Sequence, residues 1–207
     1  SGIDLEAFRP ADKEAVEEII ERYGLKKHGD KPVILSVASA WRAAKGINDL
    51  IDLQEILKDE AVIAVVGMTE KQAEYLPPEM TAVPMIYGAE SLRALYSAAA
   101  LCISLSYEES QGLTLIEAMA CGTQVLCYEQ TALPELVTGD TGMVAPTRDL
   151  QAVAAACRKL IAEPKSPDAC RARAFDFERN TQFEKYVRLY EELADYESPA
   201  EPPGESM

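Results

Sequence analysis

Short, continuously apolar runs alternate along this chain with longer stretches whose apolar residues recur at helical spacing. VILSVA at 33–38 is followed by a stripe of Ile47, Leu50, Ile51, Leu53, Ile56 and Leu57 within 46–57, and then by AVIAVVG at 61–67. A weaker run at 82–86, the helix-like SLRALYSAA at 91–99, LCISL at 101–105, LTLIEAMA at 113–120 and QVLCY at 124–128 continue the alternation. A strand that is apolar on every residue is one whose two faces are both covered, the situation in a parallel sheet packed between helices. The pattern therefore predicts an α/β fold with a doubly wound parallel sheet, a Rossmann-like three-layer α/β/α arrangement. In such sheets ligands sit beyond the carboxyl ends of the strands. The loops at 40–46, 67–69, 87–88 and 108–113 all follow strands, so all can border one crevice.

The remaining segments fit around that sheet. SGIDLEAFRP reads as an extended opening that stops at Pro10, and residues 12–23 as a helix ending at Gly24. TALPELV predicts a turn or short helix around Pro134, and GMVAP at 142–146 an edge strand. Helices are expected over 149–161, 167–178 and 181–195. The globular domain is placed at 1–195. The acidic, Pro-rich stretch 196–207 has too little apolar surface to fold and is expected to be disordered.

A formal charge of −15 argues against nucleic acid or anionic membrane as partners, because phosphate backbones are held by Lys and Arg. It leaves room for a local phosphate pocket of a few amides and one lysine. The five cysteines include no CxxC pair and fall in strand-like or small-residue helical runs, which favours reduced, buried thiols and a cytoplasmic protein. His28 is the only histidine, so a histidine-rich metal site is excluded and a serine triad has no support. No apolar run approaches the ~20 residues of a membrane span, and no signal-peptide pattern is present.

Glu109 and Glu117 stand around Gly112 in EESQGLTLIEAMACGTQVL. If a helix begins near Gly112, its free N–H groups point into the crevice and favour an anion. Glu109 then lies beside that opening, within range of sugar hydroxyls, and Glu117 offers oxygens to a vicinal diol such as ribose. On spacing alone, both acids read better as solvated surface groups in a chain with 35 acidic residues. Lys45 and Gly46 follow the first strand: an ammonium there neutralises a diphosphate, and glycine lets backbone approach closely. Arg42 is a second candidate cation, although surface solvation is the plain alternative for both. Neither a GxxxxGK[ST] nor a GxGxxG sequence occurs. Asp49 and Asp52 read as exposed helix acids, His28 as a surface turn residue, and Trp41 either as crevice floor or as packing for the next helix.

The segment EESQGLTLIEAMACGTQVL resembles the nucleotide-binding segment of retaining glycosyltransferases with two Rossmann-like domains (the GT-B fold), in the family known as glycosyltransferase family 4 or glycosyl transferases group 1. Further likenesses are SGIDLEAFRP to the linker into the second domain, SVASAWRAAKG to the diphosphate loop, and the last helix to the segment returning to the first domain. The likeness extends from residue 1 to about 195. It implies one half of a GT-B fold, the donor-binding domain, acting in polysaccharide biosynthesis. Lys45 would contact the diphosphate and, with Glu109, form the catalytic pair. Glu109 would lie at the donor sugar, with Gly112 and Leu113 near sugar or phosphate. Glu117 would hold the ribose, and Tyr87 and Gly88 would lie near the base. Arg42 and Gly46 complete the implied donor site.

The resemblance implies a UDP-, GDP- or ADP-linked sugar as substrate, no cofactor and no metal. Transfer would go to a saccharide or lipid-linked acceptor with the anomeric configuration kept. The acceptor, and any contact with the inner face of the membrane, would belong to an N-terminal domain expected to precede Ser1, so this chain alone is expected to be inactive. Two positions depart from the pattern. Ala40 stands where an arginine is usual, and Gln111 where an aromatic precedes the motif glycine. Ala40 and the missing domain favour the alternative of a non-catalytic nucleotide-sugar-binding or regulatory module. A third reading, an unrelated scaffold acting through its acidic surface, predicts no nucleotide binding.

Overall fold

The computed structural model describes residues 2–194. The tail expected at 196–207 lies outside the described residues.

Six parallel strands form one sheet: β1 (Val33–Val37), β2 (Val62–Met68), β3 (Thr81–Pro84), β4 (Leu101–Ser104), β5 (Val125–Tyr128) and β6 (Gly142–Ala145). Their spatial order is β3-β2-β1-β4-β5-β6, the doubly wound order, and β6 lies at an edge as its sequence predicts. The register sets Ile34 beside both Ile63 of β2 and Leu101 of β4, so β1 and β4 are the central pair.

Among the described residues eight α-helices accompany the strands: α1 (Lys13–Arg22), α2 (Ile47–Leu57), α3 (Glu70–Ala73), α4 (Ala89–Ala98), α5 (Leu113–Ala120), α6 (Leu150–Ala162), α7 (Pro167–Phe175) and α8 (Arg179–Ala194). Alternate strand residues point to opposite faces. Leu35, Val66, Cys102 and Cys127 meet α1, α4, α5 and α7, while Ile34, Ile63, Ile103 and Leu126 meet α2 and α6. This two-sided cover is why the strands read as unbroken apolar runs. All five cysteines are free thiols buried in these two layers.

Local chemistry fixes the helix starts. The Asp12 carboxylate accepts from the Ala15 N–H at 2.9 Å and caps α1. The four-residue α3, absent from the sequence reading, is held by a capping box between Thr69 and Gln72. The opening segment also differs from expectation. Ile3 forms an isolated parallel bridge to Glu178, after which the Asp4 carboxylate accepts from the N–H groups of Glu6 and Ala7 and turns the chain before Pro10. Among the described residues, no helix is long and apolar enough to cross a membrane.

Candidate functional site

Between β1 and β4 the order of strands reverses, and loops leaving β1, β2, β3 and β4 open there into a cleft of about 560 Å³. Of the residues singled out from sequence, Lys45, Glu109, Leu113 and Glu117 line this cleft. Gly46 and Gly112 stand next to lining residues in the chain and shape the loops. Arg42 is exposed at the head of a single 3-10 turn, Ala43–Lys45, outside the cleft lining. Tyr87 projects into solvent at 91% exposure, and its neighbours Met85 and Ile86 form the wall on that side instead.

The loop after β1 is built against the end of β4. The Trp41 indole N–H donates to the Val66 carbonyl at 2.8 Å, burying the ring in the α2 layer while it also lines the cleft, so both sequence readings of Trp41 hold. The Ala44 carbonyl then accepts from the Tyr107 N–H at 2.9 Å and from the Ser106 hydroxyl at 3.2 Å. Gly46 turns into α2 at φ 73°. A Cβ at Gly46 would fall 2.1 Å from the Leu105 carbonyl oxygen. The close approach that requires glycine here is therefore between the loop and the end of β4.

That docking brings two opposite charges together. Lys45 Nζ lies 2.7 Å from Glu109 Oε2, with both side chains about four-fifths buried (23% and 21% exposed). Burial alone would raise the Glu109 carboxyl, but the Lys45 ammonium and the N–H groups of Gly112 and Gln111 outweigh it and hold the group below its usual value. Glu109 is thus an ionised carboxylate held by the two amides that lead into α5. Gly112 caps that helix at φ 69°, and a Cβ there would meet the Leu136 and Leu133 side chains at 2.7 and 2.9 Å.

Glu117, on the second turn of α5, behaves oppositely. Burial pushes its carboxyl up to about 7, and the Tyr96 hydroxyl, donating to Oε2 at 2.8 Å, offsets only part of that rise. Tyr96 is wholly buried on α4 and was not singled out in the sequence, where it reads as one more core aromatic beside SAAA. Asp49 also departs from expectation. Rather than an exposed acid, it accepts from the hydroxyls of Tyr107 and Tyr128, each at 2.5 Å, and so pins the start of α2 to the ends of β4 and β5. Asp52 is exposed as expected. His28 is half-buried rather than a surface group, and it lies by the amino ends of the strands, away from the cleft.

A cleft with one cation, one ionised acid, one readily protonated acid and a helix start suits an anionic, hydroxyl-rich ligand. Among the described residues no His, Cys, Asp and Glu group is arranged to hold a metal ion.

A family model described as glycosyl transferases group 1 matches residues 31–163. The chain is 29% identical over 180 residues to D-inositol 3-phosphate glycosyltransferase of Streptomyces bingchenggensis, covering 79% of this chain and 39% of that protein. Among solved structures, sucrose-phosphate synthase from Thermosynechococcus elongatus superposes with a TM-score of 0.77 at 28% identity, over 93% of this chain and 51% of that one. Anabaena HepE in complex with UDP-glucose gives a TM-score of 0.76 at 17% identity, over 94% and 56%, a likeness of fold. The chain spans less than half the length of the curated relatives it matches, and about half of these two solved chains.

Proposed function

The chain belongs to the glycosyl transferases group 1 family, and on that premise we propose that it is the donor-binding domain of a retaining glycosyltransferase. The observation that carries this reading is the meeting of Lys45, Glu109 and Glu117 in one cleft at the switch point of the sheet. Lys45 supplies the positive charge for a diphosphate, Glu109 a fixed carboxylate for sugar hydroxyls, and Glu117 acceptor oxygens for the ribose. Arg42, outside the cleft lining, is a secondary contact that a mobile phosphate or a side-chain rotation would bring into play. Tyr87 and Gly88 stay candidates for the base, reached from beyond the Met85–Ile86 wall.

In the proposed reaction the bond from the sugar anomeric carbon to the diphosphate breaks, a bond from the acceptor hydroxyl oxygen to that carbon forms on the same face, and the hydroxyl proton passes to the departing diphosphate. Negative charge grows on the departing diphosphate, where Lys45 and the amides at the start of α5 stabilise it. Lys45 and the Gln111 and Gly112 amides just before α5 are engaged by Glu109, so the incoming diphosphate competes with that carboxylate for them. Acceptor binding, and any approach to a membrane surface from a cytoplasmic location, is assigned to a domain outside this chain, so the chain alone is expected to bind donor without turnover. Ala40, exposed at the mouth of the loop where an arginine is usual, favours the second reading of a nucleotide-sugar-binding module without chemistry.

Titration calorimetry with UDP, GDP, ADP and their glucose or mannose conjugates tests the proposal. UDP is the first choice because HepE, of the same fold, is bound to UDP-glucose. Saturable binding of one nucleotide, weakened about tenfold or more in Lys45→Ala by loss of a charge-assisted contact, is the expected result. Binding of none of them, or binding indifferent to Lys45, would sink it.

A further inference from the structure

We infer that Tyr96 is a positioning residue for nucleotide binding: its hydroxyl holds Oε2 of Glu117 and thereby presents Oε1 to the diol of a ribose. The inference rests on the donor-site reading and goes beyond it by assigning a residue that touches no ligand. Tyr96 is wholly buried, with its ring packed edge-on against Phe8 at 6.3 Å between centroids, so the hydroxyl has a fixed position. Its hydroxyl points from α4 to α5 and meets Glu117 Oε2 at 2.8 Å. Glu117 itself lines the cleft. A carboxylate with one oxygen immobilised by a rigid donor cannot rotate freely, and its other oxygen keeps one orientation.

The surroundings make this arrangement sensitive to protonation. The groups facing Glu117 are Tyr96 from α4, Cys102 from β4 and Cys121 at the end of α5, with Arg93 and Arg171 acting on Cys121. Burial keeps the Tyr96 phenol and the Cys102 thiol well above their usual values, and it pushes Cys121 up to about 12, so all three are neutral donors in the physiological range. Among the described residues no cation pairs with Glu117. The Tyr96 hydroxyl is the hydrogen bond that favours its ionised form. An ionised Glu117 accepts from both ribose hydroxyls; a protonated one loses an acceptor. Preference for ribose over deoxyribose should then rise with pH.

The test uses the 207-residue chain with UDP, GDP and ADP and their 2′-deoxy counterparts, titrated from pH 5.5 to 9.5 in wild type, Tyr96→Phe and Glu117→Gln. Carbon-13 NMR of the Glu117 carboxyl follows its titration in parallel. In wild type the ribose preference should grow through the Glu117 midpoint. In Y96F that midpoint should move up by about one pH unit, with affinity recovering toward wild type at the alkaline end. E117Q should show a small preference that ignores pH. A tyrosine that merely fills the core would instead weaken binding by the same factor at every pH. A Glu117 midpoint unmoved by Y96F, or a ribose preference indifferent to pH, overturns this inference and leaves the donor-site reading standing. Failure of wild type to bind any of the three nucleotides overturns that reading and this inference with it.

Discussion

At Glu117 stability and ligand recognition pull in opposite directions. The carboxyl is raised to about 7 by burial, whereas an unfolded glutamate titrates near about 4.3. The folded chain therefore holds this proton more tightly, so stability falls as pH rises through that window and levels off above it. The cost at alkaline pH is about 4 kcal/mol, since each pH unit between the folded and unfolded values is worth about 1.4 kcal/mol. Glu117→Gln removes the charge while keeping an oxygen for the Tyr96 hydroxyl. It should raise unfolding free energy by about 2–3 kcal/mol at pH 8.5 and by little at pH 4.5. Urea denaturation at both values checks this, and an equal effect at the two would show that Glu117 is not buried as an acid. Glu109 has the opposite sign. Its lowered value means that it contributes stability above the unfolded pKa and loses it as pH falls through the folded one. Two acids on one cleft wall are thus tuned apart by a single difference: Glu109 has Lys45 and two amides, and Glu117 has only a phenol.

Among the elements, the loops that border the cleft depend on glycine for different reasons, and substitution separates them. Gly88 has φ 104° but nothing within 4 Å of the place a Cβ would take, so alanine there incurs backbone strain alone, about 1–3 kcal/mol. Gly46 has φ 73° and a Leu105 carbonyl oxygen 2.1 Å from the added atom. Gly46→Ala should therefore lower unfolding free energy by at least about 2 kcal/mol more than Gly88→Ala, and should part Lys45 from Glu109. Equal losses in urea denaturation would mean that the Ala43–Lys45 turn yields freely. The same loops show what sequence alone reveals. The strands were legible because two-sided cover leaves them continuously apolar, whereas Lys45, Glu109 and Glu117 stood out only through the family resemblance of their segments, since charged residues near strand ends read by themselves as solvated surface groups. Four residues are too few to display a helical period, so α3 was not visible, although its Thr69–Gln72 spacing is a capping signal. Tyr96 was hidden for another reason. Its partner is 21 residues away on a different helix, and a tyrosine on a buried face looks the same whether or not its hydroxyl is engaged.

For the whole molecule, α8 stands apart from the core that the other long helices share. None of its residues is buried, and Phe183, Val187, Tyr190 and Leu193 are exposed by 54–69%. The ties between this end of the chain and the body precede that apolar stripe: Glu178 bridges Ile3, and Arg179 pairs with Asp4 at 3.2 Å. Every residue lining the cleft lies before position 118. Among the described residues, those beyond position 182 make no core contact and no cleft wall, and deleting residues 183–207 tests whether the body depends on this end of the chain. The thermal midpoint should move by no more than about 2 °C, since a domain of this size shifts about 2–4 °C for each kcal/mol. Nucleotide affinity measured on the truncated chain should equal that of the full one. A fall of more than about 5 °C would show that α8 is coupled to the sheet, and a loss of affinity without a fall in stability would show that it reaches the cleft from outside. The expected pair of results would mean that the sheet, its two helical layers and the cleft form a unit complete by about residue 182, with α8 an apolar stripe that the unit itself does not cover.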